Sequence, residues 1–153
     1  MEGFNVMLAI HNVLRWVVLL AAVAAIGGAW HGVATKRDWN TGDRIRTVIF
    51  VASIHLQVLL GLILYVQSPR VQAAFDDPGA AMGDSLLRFF FVEHISMMIL
   101  AAVVIQIGSI MSKKADTDAA KHKRSAIFFT IGFVLIMGGL HMIWTVSPLF
   151  PGM

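Results

Sequence analysis

The 153-residue chain contains no cysteine and few charged residues. Without cysteine it has no disulfide framework, no CxxC redox pair, no covalent haem attachment motif and no thiolate metal site. Charged residues make up 14% and hydrophobic residues 58%, whereas ordinary soluble domains have about 25% and about 45–50%. The mean hydropathy is +0.76. This composition argues against a water-soluble globule, a disordered chain and a collagen-like chain, and it indicates a protein embedded in a lipid bilayer.

The basic character of the chain is modest. The isoelectric point is near 9.7, but the net charge is only +3. The Lys and Arg residues are concentrated in two short loops, a pattern typical of membrane topology and not of a nucleic-acid-binding surface. We therefore predict no nucleic-acid partner.

Four apolar stretches are each long enough to cross a bilayer, over residues of about 4–30, 47–66, 89–111 and 125–147. A helix needs about 20 apolar residues to cross the hydrocarbon, where its backbone groups must be hydrogen-bonded internally. The first stretch is too long for a signal-peptide core, so we expect it to remain in the mature protein. Because short connections make consecutive helices antiparallel neighbours, the sequence predicts an all-α, integral-membrane four-helix up-down-up-down bundle forming one domain over residues 1–153.

Loop charges predict the orientation of the bundle. Four Lys and Arg residues lie between the first and second spans and five between the third and fourth: Lys36, Arg37, Arg44, Arg46, Lys113, Lys114, Lys121, Lys123 and Arg124. Positively charged loops stay in the cytoplasm, so both termini and the loop at 67–87 are expected on the periplasmic side of a bacterial inner membrane. We also predict a short interfacial helix around Val71–Phe75 in that outer loop.

Four of the six histidines lie inside the spans, one per helix: His11, His55, His94 and His141. Since the spans alternate in direction, all four fall in the outward half or near the midplane, and we expect them to converge. Ionisable residues inside spans are rare, face the bundle interior and are candidates for function. The other two, His31 and His122, are expected to be interfacial.

Two charged residues share this outer layer. Arg15 lies one helical turn after His11, and Glu93 directly precedes His94. An isolated charge at this depth would be costly, so we expect Arg15 to pair with Glu93 or with a bound anion.

Imidazoles at matching depth on facing helices are the ligands of a b-type haem. The diagonal pairs of an up-down-up-down bundle are spans 1 with 3 and spans 2 with 4. His11 with His94 is the best-matched diagonal pair, His55 with His141 is the second, and His55 with His94 is an adjacent alternative.

The haem hypothesis also needs partners for the propionates and space for the macrocycle. Arg88, Arg70 or Arg15 would meet the propionates. Glycines at three positions in spans 2 and 4 either admit the macrocycle or simply allow close helix packing: Gly61, Gly138 and Gly139. The sequence then predicts one haem b in the outer half and electron transfer with quinol or a periplasmic partner, in a chain that is a candidate subunit of a respiratory complex.

Other functions fit the same residues. Three histidines with Glu93 are a possible copper, zinc or iron site, although no HExxH or ExxH spacing supports it. Alternatively, each histidine bonds a neighbouring helix in a cofactor-free accessory subunit of a membrane complex. A porphyrin-handling membrane enzyme is a further alternative, so the sequence does not decide whether the protein is an enzyme.

Four segments resemble a family of small bacterial four-helix membrane proteins commonly labelled cytochrome b-like: HNVLRW at 11–16, HLQVLLGLILYVQSP at 55–69, LRFFFVEH at 87–94 and KKADTDAAKHKR at 113–124. The resemblance covers nearly the whole chain. It implies shared histidines at His11, His55 and His94, with Arg15 and Glu93 alongside. The fourth span of that family often lacks a histidine, so the resemblance does not extend to His141.

A fainter likeness connects the first span to the four-helix protoporphyrinogen oxidase and copper-resistance D membrane proteins. These proteins also have an early histidine followed by a tryptophan, at the positions of His11 and Trp16 here. We transfer no residue roles from this likeness.

Overall fold

The computed structural model describes residues 2–143, and within that range it is helical with no strand. In chain order the elements are α1 (Glu2–Thr35), α2 (Thr41–Gln67), α3 (Pro69–Asp76), α4 (Pro78–Gly83), α5 (Ser85–Arg88), a π-helical turn (Phe89–Glu93), α6 (His94–Lys113) and α7 (Asp118–Leu140). α5, the π-helical turn and α6 continue one another and form a single long span, Ser85–Lys113.

Four helices in this structure are long and apolar enough to cross a membrane: Glu2–Thr35, Thr41–Gln67, Ser85–Lys113 and Asp118–Leu140. The prediction of four helices with the length and composition of membrane spans is thereby confirmed, and the short helix predicted around 71–75 is α3. The predicted end of the fourth span at residue 147 lies outside the described residues. The side of the membrane that each loop faces stays a prediction.

The helices extend beyond the apolar stretches because polar residues cap them. Asn40 accepts a hydrogen bond from the Asp43 amide while the Asp43 carboxylate accepts one from the Asn40 amide, forming a capping box that starts α2. The Thr117 hydroxyl caps α7 in the same way by accepting from the Ala120 amide. At the other end of the first connection, Lys36 adopts a left-handed conformation with φ of 53°, which ends α1.

The spans form a ring in which α1 contacts α2 and α7, and α6 also contacts α2 and α7. α1 and α6 are therefore diagonal to each other, as are α2 and α7. This is the arrangement expected from the sequence, and it lets residues from α1 and α6 face each other across the bundle axis.

Small and aromatic residues fill the middle of the bundle. Ala22 and Ala101 are fully buried, and the rings of Phe50 and Phe129 meet edge-on with centroids 5.4 Å apart. The outer surface is equally apolar, since Leu20 on α1 is 70% exposed. A bundle with apolar residues on both its interior and its surface is suited to lipid and not to water.

Charged residues cluster where α1 ends and α2 begins. Asp43 is 4% exposed, and its carboxylate accepts two hydrogen bonds of 2.6 Å from Arg37 and one of 2.9 Å from Arg46. Arg37 also donates to the carbonyl of Gly28 at 3.2 Å. The hydrogen bonds to Asp43 raise the pKa of Arg37 above its ordinary value, so its guanidinium keeps its charge at every physiological pH.

His122 is fully buried in the protein against this cluster, and its predicted position at the membrane interface stays a prediction. Its ring packs on Trp39 with centroids 4.9 Å apart, and its Nε2 lies 4.0 Å from the Asp43 carboxylate. The ring reaches α1 because Gly32 has no side chain, and a Cβ at that position would lie 2.2 Å from the His122 ring. The His122 side chain thus inserts into the bundle, although its neighbours Lys121, Lys123 and Arg124 are basic.

Substituting Gly32 with Ala should destabilise the protein. The added Cβ would overlap the buried His122 ring, and such overpacking typically reduces the free energy of unfolding by about 1–3 kcal/mol. Gly27→Ala is the matched control, since nothing lies within 4 Å of a Cβ there. The comparison is the thermal unfolding midpoint in detergent. Equal midpoints for Gly32→Ala and Gly27→Ala would contradict the packing described, whereas recovery in Gly32→Ala combined with His122→Ala would support it.

The orientation can be tested in intact cells because the chain has no cysteine of its own. Ala80 and Ala119 are exposed alanines on the two sides of the predicted membrane. With the positively charged loops inside, a membrane-impermeant maleimide should label Ala80→Cys in intact cells and Ala119→Cys only after permeabilisation. The reverse pattern would contradict the predicted direction.

Candidate functional site

A cavity of about 550 Å³ lies between the four spans, at the end of the bundle that holds the start of α1. This volume falls within the roughly 300–1,000 Å³ of typical small-molecule and cofactor sites. Its walls are mostly apolar, and the polar and charged side chains among them are His11, Asn12, Arg15, Gln57, Tyr65, Ser68, Arg70 and His94. An apolar pocket with a few convergent polar groups is the usual form of a binding site.

One face of α1 supplies three of these polar residues. Arg15 lies four residues after His11 and three after Asn12, and His11 and Asn12 are adjacent. All three therefore line the same side of the helix. Arg15 is 4% exposed, and its Cζ lies 5.7 Å from the centroid of the Trp16 ring. A cation at this depth favours electron-rich ligand atoms in the cavity beside it.

Gln57 on α2 holds His11. The Gln57 amide donates to the His11 carbonyl at 2.9 Å and lies 3.3 Å from the ring nitrogen Nε2 of His11. Because an amide nitrogen only donates, Nε2 accepts and the ring proton resides on Nδ1. That Nδ1 is buried and has no hydrogen-bond partner within residues 2–143. His11 therefore presents a buried donor in its neutral form.

Gly61 on α2 provides room for the His11 ring. A Cβ at position 61 would lie 3.2 Å from the ring atom Cε1. The role of the other two glycines is different, since a Cβ at Gly138 or Gly139 would meet the side chains of Met97 and Met98. Gly138 and Gly139 thus serve close packing of α6 against α7.

His94 is held by α7. Its Nδ1 lies 2.7 Å from the Gly139 carbonyl, which only accepts, so Nδ1 carries the proton and Nε2 keeps its lone pair. A histidine fixed in this way by a backbone carbonyl is typical of metal ligands, whose other nitrogen coordinates.

The π-helical turn directly precedes His94. Within it Phe89 is fully buried, with its ring centroid 5.6 Å from that of His94. The Tyr65 hydroxyl donates to the Phe91 carbonyl at 2.9 Å, which ties the turn to α2. Single π-helical turns inside α-helices are frequent at functional sites, and this one precedes a cavity residue.

The other two intramembrane histidines lie outside the cavity lining. His55 is exposed on the surface of α2, with its Nδ1 2.8 Å from the Val51 carbonyl. His141 is also exposed; its Nδ1 lies 2.7 Å from the Gly138 carbonyl, and its ring meets the edge of Phe89. Two imidazoles, not four, therefore meet in the cavity, from the diagonal pair that sequence depth matched best.

The expected ion pair between Arg15 and Glu93 is wrong. Glu93, the last residue of the π-helical turn, instead binds Arg88, the residue directly before that turn, at 2.7 Å. Arg88 also donates to the Met82 carbonyl at 3.1 Å, and neither Arg88 nor Glu93 lines the cavity. Arg70 does line it, with its Cζ 5.6 Å from the centroid of the Phe90 ring.

The predicted alternative of a His and Glu metal site gains no support from the geometry. Within residues 2–143, no three or more His, Asp or Glu side chains are grouped so that they could hold a metal ion. His55 and Glu93 face away from the pair formed by His11 and His94.

Sequence reasoning missed three polar residues of the cavity: Asn12, Tyr65 and Ser68. Asn12 is one of the few polar residues in an apolar stretch. It lies three residues before Arg15, so the shared helix face could have predicted that Asn12 lines the cavity. The backbone carbonyl of Gly139 that orients His94 has no signal in the sequence.

Comparisons with models of known protein families, with curated proteins and with solved structures found no match for this chain. The resemblance to cytochrome b-like proteins therefore stays an expectation, and the geometry of the cavity is the basis for assigning a function.

Replacing Gln57 with Leu should destabilise the cavity end of the bundle. The change removes the donor to the carbonyl and the Nε2 of His11. A buried polar group left without a partner lowers the free energy of unfolding by about 1–3 kcal/mol. Gln106→Leu on α6, outside the cavity, is the matched control. We expect a lower thermal unfolding midpoint for Gln57→Leu only. A midpoint at or above that of Gln106→Leu would contradict a holding role for Gln57.

Proposed function

We propose that the protein is an integral-membrane electron-transfer protein whose cavity would hold one b-type haem through the imidazoles of His11 and His94. The observation that carries this proposal is the placement of two imidazoles, from the diagonal helices α1 and α6, on the walls of one apolar cavity. Bis-histidine ligation in helical bundles uses facing helices in this way.

The residues present fit such a group. His94 has its lone pair on Nε2 because the Gly139 carbonyl holds Nδ1. On His11 the Nε2 lone pair is covered only by the long 3.3 Å contact to Gln57, whose 2.9 Å bond to the His11 carbonyl holds the amide in place independently. Coordination by His11 would replace the long contact and keep the short one.

The charged residues fit the two carboxylates of haem. Arg70 lines the cavity beside Ser68 and Pro69, where the chain leaves α2 and enters α3. Arginine is well suited to bind a carboxylate through two parallel hydrogen bonds. Arg70 would hold a propionate. Arg88, the other arginine predicted for this role, already forms an ion pair with Glu93.

When bound, haem supplies one-electron chemistry. The chain supplies two oriented imidazoles, apolar walls that exclude water, and the cation of Arg15 in the wall of the cavity. A fixed positive charge near the iron stabilises the reduced form, so Arg15 would raise the redox potential.

The surroundings of this electron carrier follow from the loop charges. With the basic loops in the cytoplasm of a bacterial inner membrane, the cavity lies in the periplasmic half. Quinol in the bilayer or a periplasmic redox protein would exchange electrons there. The small loops leave little surface for a dedicated soluble partner, which favours a place as a subunit of a respiratory complex.

A second candidate function is the binding of a quinone or quinol without haem. In the present tautomers His11 offers a buried N–H and His94 a lone pair, which match a quinol, because one of its hydroxyl oxygens can accept from His11 while the other hydroxyl donates to His94. The two candidates are separated by colour, because only the haem protein absorbs in the visible region.

The ligand assignment predicts that two of four histidine variants lose the haem absorption band and that the other two keep it. The purified protein should show a low-spin b-type α band in its reduced-minus-oxidised spectrum. His11→Ala and His94→Ala should lose this band, because each removes an axial imidazole from the cavity. His55→Ala and His141→Ala are matched controls and should keep it, since both side chains are exposed.

Three results would contradict the assignment. A band that persists in His94→Ala would exclude His94 as a ligand, and loss of the band in His55→Ala would place the ligands elsewhere. A colourless wild-type protein would exclude haem. In that case saturable quenching of tryptophan fluorescence by a quinol, abolished in His94→Ala, would support the second candidate, and its absence would favour a cofactor-free accessory subunit.

A further inference from the structure

A second recess lies at the other end of α1, away from the haem cavity. It is a groove of about 580 Å³, open on its outer side, between α1, the connection to α2 and the first turns of α2. Its lining residues are Val23, Ala24, Gly27, Gly28, His31, Arg37, Asn40 and Arg46. None of them takes part in the proposed electron transfer.

The groove is apolar at one end and basic at the other. Val23 and Gly27 lie on one face of α1 with Leu20, and both Val23 and Leu20 are more than half exposed. Nothing lies within 4 Å of a Cβ at Gly27, so the missing side chain leaves an open channel along the helix. The channel leads from the lipid-facing surface to the charged residues at the helix end.

The basic end is preorganised by Asp43. Arg37 and Arg46 both bind this one carboxylate, so the cluster retains a net positive charge. Arg46 approaches α1 closely because residue 28 is glycine, where a Cβ would lie 2.5 Å from its Nη1. Within residues 2–143 Arg46 uses only Nη1 in hydrogen bonds, and 41% of its side chain is exposed. Arg46 is also one of the residues that line the groove.

Neighbouring residues place the groove at a membrane boundary. Trp30 is exposed on α1 next to His31, and its indole donates to Thr130 at 3.0 Å. Trp39 lies in the connection that follows the last turn of α1. Tryptophan is enriched where hydrocarbon meets headgroups, and the charged residues from Lys36 onward mark the water side.

We propose that this groove binds an anionic phospholipid, with its phosphate on Arg46 beside the positive charge of Arg37 and an acyl chain along Gly27, Val23 and Leu20. Guanidinium groups bind phosphate oxygens by charge-assisted hydrogen bonds, and basic pockets between helices at the cytoplasmic surface are typical lipid-headgroup sites. A free phosphate ion shares this headgroup chemistry. The apolar channel continuous with the basic end favours the lipid, because an inorganic ion would make no use of it.

The test is native mass spectrometry of the purified protein in detergent with added phosphatidylglycerol or phosphatidylcholine of identical acyl chains. Phosphatidylglycerol should bind several times more tightly. Arg46→Gln should weaken its binding about fivefold, the effect of one arginine near a lipid surface. Arg44→Gln is the matched control, since Arg44 is exposed, carries the same charge and does not line the groove. It should change the affinity less than twofold.

A second variant leaves every charge in place. Gly27→Leu fills the open channel without touching the Asp43 cluster, so it tests the acyl-chain part even if Arg46→Gln fails to fold. It should also weaken phosphatidylglycerol binding severalfold, and millimolar inorganic phosphate should leave the lipid adduct in place.

The proposal is overturned by any of three results. Equal binding of the two lipids would show that the headgroup charge is not recognised. Equal effects of Arg44→Gln and Arg46→Gln would show that the protein's overall charge, and not the groove, attracts the lipid. Displacement of the lipid by inorganic phosphate, together with unchanged binding to Gly27→Leu, would identify a soluble anion as the ligand.

Discussion

The structure is governed by the cost of placing polar groups in hydrocarbon. Water is absent from the interior of a bilayer, so each polar side chain in a span must find a partner on another helix or in a ligand. Gln57 joins α2 to α1 through the His11 carbonyl, and His94 joins α6 to α7 through the Gly139 carbonyl. These two contacts fix the relative rotation of the four helices where the cavity lies, and they determine which side chains face it.

One end of the bundle is tightly packed, and the other end holds the cavity. Where α1 ends, Asp43 gathers two arginines, and His122 fills the space over Gly32. In the middle, Phe50 and Phe129 close the interior. The end that holds His11 is left open, because the filled part of the bundle already holds the helices together. A small protein can contain a cavity of this size when close packing in the rest of its interior offsets the lost stability.

The sequence predicted the number and position of the spans because apolar length alone decides them. It also predicted His11 with His94, since depth along a helix follows from the constant rise per residue. Depth says nothing about which side of a helix faces the interior, so His55 and His141 were grouped with the others. The face of α2 that contains Ile54, Gln57 and Gly61 is one residue out of phase with His55. In a span that is apolar all round, hydrophobicity does not reveal that phase.

The position of Glu93 shows a further limit of prediction from the sequence, which arises from the backbone conformation. In a regular α-helix, residues five apart point about 140° away from each other. Phe89 and His94 are five apart, yet their rings are neighbours, because the His94 amide closes a π-helical turn on the Phe89 carbonyl. The wider turn brings His94 onto the side of the helix that faces the cavity and leaves Glu93 to the local partner Arg88. A periodicity of 3.6 residues cannot anticipate that shift, so the sequence singled out His94, Arg15 and Glu93 but could not show that Glu93 pairs with Arg88 and that Arg15 lines the cavity.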